Sequence, residues 1–62
     1  MTKTDAIKAE YAPYNTFPEF QEGFDDWTAG KAYDSKYRGV AAQAYDRGCE
    51  AAVRVIQAER TS

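Results

Sequence analysis

The chain has 62 residues, 8 Lys and Arg against 10 Asp and Glu, a net charge of −2, 44% hydrophobic residues and no His. This is one small domain, with too much apolar and aromatic surface for a disordered chain. Its acidity argues against affinity gained by neutralising phosphates, so free DNA is not an expected partner. The lack of His removes the commonest metal ligand and general base, and no apolar run approaches the ~20 residues of a membrane span. No metal, cofactor or membrane partner is expected. The lone Cys49 has no intrachain disulfide partner, and no basic segment followed by an apolar run opens the chain, which together predict a cytoplasmic protein.

In chain order, the first predicted element is a short helix over about 5–12. Thr4 or Asp5 would cap it, Ile7 and Tyr11 share one face, and Pro13 ends it. The following "YAPYNTFP" reads as an extended connector, because a residue before proline avoids the α region. A second helix is predicted over about 17–30, opened by a capping-box pattern of Thr16 and Glu19 with Pro18 in the first turn. At 100° per residue, Phe17, Phe20, Gly23, Phe24, Trp27 and Gly30 fall in one sector, while Glu22, Asp25 and Asp26 fall opposite, with Glu19 at the border. Gly23 is expected on the buried face, where a missing side chain admits a close helix opposite Gly48. Gly30 is expected to close the helix in a left-handed conformation.

A third helix is predicted over about 35–59, capped by Asp34 or Ser35 and about 35 Å long. Ala41, Ala44, Tyr45, Gly48, Ala52, Val55 and Ile56 share its inner sector, and Gln43, Asp46, Arg47, Glu50, Arg54 and Gln57 share the outer one. Large rings on one helix and small residues on the next are complementary, and the short loop suits antiparallel neighbours. The fold class is therefore all-α, an antiparallel helical hairpin with a short N-terminal helix. Two helices make a thin core, so the N-terminal helix, a homodimer or a partner is expected to cover the rest.

No Ser or Thr has a base partner and no Gly-rich phosphate loop follows a strand, so no enzymatic activity is expected. Cys49 reads as a small buried residue. Two surface groups are candidates for partner binding. The carboxylates of Glu19, Glu22, Asp25 and Asp26 read either as a solvated face near a helix N-terminus or as a surface that attracts a basic protein. Tyr33, Tyr37 and Tyr45 with Arg38 and Arg47 read either as an interface patch or as rings that close the open end of the core.

The segment "GFDDWTAGK" from Gly23 to Lys31, then a Tyr-containing loop, then "QAYDRGCEAA" from Gln43 to Ala52, resembles the ribosome modulation factor family and its plasmid and phage relatives. The shared positions are Gly23, Phe24, Ala29, Gly30, Lys31, Tyr45, Gly48 and Ala52. The resemblance covers about half the chain and implies a small non-enzymatic helical hairpin, encoded by a phage or other mobile element, whose founding relatives bind and silence the ribosome under stress. The family members that bind ribosomal RNA are strongly basic, whereas this chain carries its acidic residues on the exposed side of the matching helix. The resulting expectation is a host protein as partner. A ribosome met through Lys31, Lys36, Arg38, Arg47 and Arg54 is the alternative.

Overall fold

The computed structural model describes residues 2–31 and 36–61; of Thr61 only the backbone is described. Among these residues the protein is all-α: helix α1 (Lys3–Ala9), a single 3-10 turn (Tyr14–Thr16), helix α2 (Pro18–Thr28) and helix α3 (Val40–Thr61). No helix among them is long and apolar enough to cross a membrane. The Cα envelope measures 35 × 24 × 12 Å, about one helix diameter in its thinnest direction. Only stripes that face a neighbouring element can therefore be buried.

Helix α2 ends as the sequence predicts. Gly30 has φ 78°, its N–H donates to the Trp27 carbonyl at 3.0 Å, and the Lys31 N–H reaches back to Asp26 at 2.9 Å. These two bonds form a Schellman closure, which requires the left-handed residue that glycine supplies at least cost. Gly30 is exposed, so its place is at the cap and not in the core.

The helix starts differ from the sequence expectations. Thr2, not Thr4 or Asp5, caps α1, its hydroxyl accepting from the Asp5 N–H at 3.1 Å. The Thr16–Glu19 capping box does not form. The N-cap residue of α2 is Phe17, whose side chain has no acceptor to offer, and the Thr16 hydroxyl, one position too early, donates to the Pro13 carbonyl at 2.8 Å. The preceding segment is accordingly a turn and not an extended connector: Thr16 and Phe17 N–H groups bond Pro13 and Tyr14 at 3.1 and 3.0 Å. The Asn15 amide ties this turn to the Lys8 carbonyl at 3.1 Å. Local side-chain bonds of this kind compete with extended backbone. Helix α3 begins at Val40 and not near 35, for Lys36–Arg38 are non-helical and Gly39 sits at φ 66°, its carbonyl accepting the first bond from Gln43 at 3.1 Å. Asp34 and Ser35, the expected caps, lie outside the described residues.

The antiparallel α2–α3 pair is built on reciprocal glycines. A Cβ on Gly23 would lie 3.1 Å from the Tyr45 carbonyl carbon and collide with its oxygen; one on Gly48 would lie 2.9 Å from both the Phe20 carbonyl carbon and the Phe24 nitrogen and strike the Phe20 oxygen. The helices touch backbone to backbone here, and no other residue type permits it. Around this contact Phe20, Phe24, Ala44, Tyr45, Cys49, Ala51, Ala52 and Val55 are buried.

Three core expectations change. Trp27, near the end of α2 and past the glycine contact, is 42% exposed. Ala41 and Ile56 are only half-buried. Ala51, outside the inner sector read from the sequence, is fully buried. Helix α3 packs against α2 on one side and against α1 and the 3-10 turn on the other, so its buried stripe is wider than a two-helix hairpin requires. Between α1 and the turn, Tyr11 is 8% exposed, with its ring 5.8 Å from Phe20 of α2, its hydroxyl accepting from Arg54 of α3 at 3.4 Å, and Ile7, Tyr14 and Phe17 at the margin of the core.

Candidate interaction surface

The residues singled out for partner binding separate into three places. Glu22 meets the returning chain: the Tyr37 hydroxyl donates to it and the Lys36 ammonium pairs with it at 2.9 Å. Lys36 also lies 5.1 Å from the centre of the Tyr37 ring. Asp26 accepts from the Tyr45 hydroxyl at 2.8 Å, and Tyr37 packs on Tyr45 with ring centres 5.7 Å apart. Asp25 turns the other way, accepting from Gln21 at 2.8 Å, whose own oxygen accepts from Lys8 of α1 at 3.0 Å.

The carboxylates of α2 therefore do not form one solvated face. Glu22 and Asp26 are half-buried and accept tyrosine hydroxyls, because residues 36–38 fold back along the edge of the hairpin and Tyr45 projects past the glycine contact. Asp25 is exposed and Glu19 half-buried. Among the described residues no three acidic or thiol side chains converge so as to hold a metal ion. Arg38 is exposed, and Tyr33 lies outside the described residues.

The electrostatics of this cluster follow from its bonds. The Tyr37 hydroxyl and then Lys36 hold the Glu22 carboxyl below its ordinary range, and the same hydrogen bond raises the Tyr37 phenol. Carboxylate charged and phenol protonated is the arrangement of a structural clasp. The Cys49 thiol is pushed up by burial and then by Asp46 and Asp26, and it contacts the Gly23 carbonyl at 3.5 Å. A thiol raised in this way is a poor nucleophile.

The apolar part of this end of the molecule carries no signal of exposure in the sequence. Trp27, 42% exposed, and Val40, 52% exposed, are the large hydrophobic side chains that the described fold leaves outside. Both stand at the loop end of the hairpin, one late in α2 and one opening α3. Val40 had no periodic signal, since it directly follows the break at Gly39, and Trp27 carried the wrong one, since its angular position is inward. No family model matches this chain, and no curated protein or solved structure compared with it does so.

Proposed function

We propose that this protein is a non-enzymatic helical interaction protein that binds a host protein and modulates or inhibits it through the acidic and aromatic loop end of the hairpin. The observation that carries this reading is the exposure of Trp27 on a helix with four carboxylates and no Lys or Arg. Trp is among the residue types that dominate interface energetics, and the surrounding negative charge favours a basic partner surface. Glu22 and Asp26 are already held by Tyr37 and Tyr45, so presenting them costs little side-chain entropy on binding. Arg38, Val40 and Asp25 complete the contact area, with Glu19 further along α2.

The test is capture of a partner by immobilised full-length chain, comparing the native protein with Trp27→Ala and Asp25→Lys at two salt concentrations. The expected outcome is a protein retained by the native chain and lost with Trp27→Ala while the melting temperature is unchanged; equal retention by both would overturn the reading. The resemblance to ribosome modulation factors supports a second reading, a ribosome-associated factor. It ranks second because Lys36 pairs with Glu22, Arg54 with Glu10, and Arg47 lies over the Tyr14 ring, leaving less cationic surface for RNA. Co-sedimentation with ribosomes that falls steeply with salt and ignores Trp27→Ala would establish it in place of the first.

A further inference from the structure

Helix α1 is seven residues long and buries none of them. A helix of that length does not persist in water by itself, so its order depends on what it rests on. Ile7 packs at the margin of the core. Lys8 lays its ammonium 4.2 Å from the centre of the Phe24 ring and donates to Gln21. Just past the helix, Arg54 donates to both Glu10 oxygens at 3.2 and 3.1 Å, with side chains 41% and 59% exposed. Helix α1 also lies along α3, but it buries no side chain there and these contacts are marginal or solvated, whereas α2 and α3 meet backbone to backbone at Gly23 and Gly48. Tyr11 marks the boundary between the two regimes, buried against Phe20 with Arg54 near its hydroxyl at 3.4 Å.

Phe24 lies under Lys8 and is three residues from Trp27, one turn away on the same side of α2. We propose that α1 is a lid: it opens about Tyr11 while the α2–α3 hairpin stays folded, and opening uncovers Phe24 beside Trp27 as one aromatic surface. The lid is a property of the free chain and holds whatever partner the hairpin takes.

Amide hydrogen exchange on the full-length protein tests it. Ala6 and Glu10, whose N–H groups bond Thr2 and Ile7, should exchange with protection at least about tenfold below that of Ala51 and Ala52. Glu10→Gln should lower α1 protection by a further factor of up to about five, the range of an exposed ion pair, and that of Ala51 and Ala52 by no more than the same factor, because global unfolding breaks the pair as well. Raising NaCl from about 20 mM to about 1 M should do the same in the native chain through screening and add little in Glu10→Gln. The Phe24 ring resonances should move with the loss of α1 protection while those of Tyr45 stay fixed, a readout that fraying confined to the first turn of α1 would not give, because Lys8 stands in the last turn. Equal protection in α1 and at Ala51 and Ala52, or a Phe24 ring that does not respond, would each overturn the lid.

Discussion

The α2–α3 contact and the attachment of α1 bury comparable aromatic residues by opposite means. At Gly23 and Gly48 the side chains are missing, the backbones touch, and Phe20 and Phe24 are enclosed by what surrounds the contact. Helix α1 lies along α3 and is fastened to the hairpin by long side chains: Lys8 to Phe24 and Gln21, Arg54 to Glu10 and Tyr11. A backbone contact has no give, so any added atom must move a helix. A contact through flexible charged side chains loses little when one is altered, and it responds to salt.

The sharpest way to break this contrast is at the glycines. Gly23→Leu or Gly48→Leu should cost at least about 3 kcal/mol, since overpacking here meets backbone and not a movable side chain. In a domain this small that removes most of the native population, visible as loss of the cooperative thermal transition by circular dichroism. Asp25→Leu, two residues from Gly23 on the exposed side, should shift stability by no more than about 0.5 kcal/mol. Phe20 joins the two regions, with its backbone against Gly48 and its ring against Tyr11. Phe20→Ala should cost about 3 to 4 kcal/mol in denaturant unfolding.

Smaller effects are expected on the α1 side and at the rim. Glu10→Gln should change global stability by less than about 1 kcal/mol. Trp27→Ala, despite removing the one Trp, should cost less than about 0.5 kcal/mol, as measured by urea unfolding. A larger loss would place that ring in the core. The smallest effect concerns pH. The folded state holds the Glu22 carboxyl below its ordinary value, so the clasp to Tyr37 and Lys36 contributes stability that is present above the unfolded carboxylate range, about 4.3. That contribution is lost as pH falls through the lower folded value. Melting curves between about pH 6 and 3 should show this component in the native chain and not in Glu22→Gln.

The hairpin was legible in the residues because its signals are local and periodic. Rings on one helix, small residues on the next, and glycines at Gly23, Gly30 and Gly48 each have a meaning that depends on a few neighbours. The candidate surface was legible only in part. The acidic side chains of α2 were visible, but that Glu22 accepts the Tyr37 hydroxyl depends on a chain return at 36–38 that no periodicity announces, and that Asp26 accepts the Tyr45 hydroxyl depends on how α3 lies along α2. The Thr16 cap failed for a related reason: Phe17 takes the N-cap position, and the Thr16 hydroxyl donates to Pro13, an option that opens only once the connector has turned.

By itself the sequence determined an all-α hairpin, its inward stripes, the left-handed closure at Gly30 and the pairing of Gly23 with Gly48, because helical period and the absence of a Cβ are properties of single residues. Tertiary structure decided which inward residues are actually covered. Trp27 falls in the inward sector yet remains exposed, and Ala51 lies off the hairpin stripe yet is buried, because an angle around a helix axis gives a direction, whereas burial depends on how far the neighbouring elements extend along it.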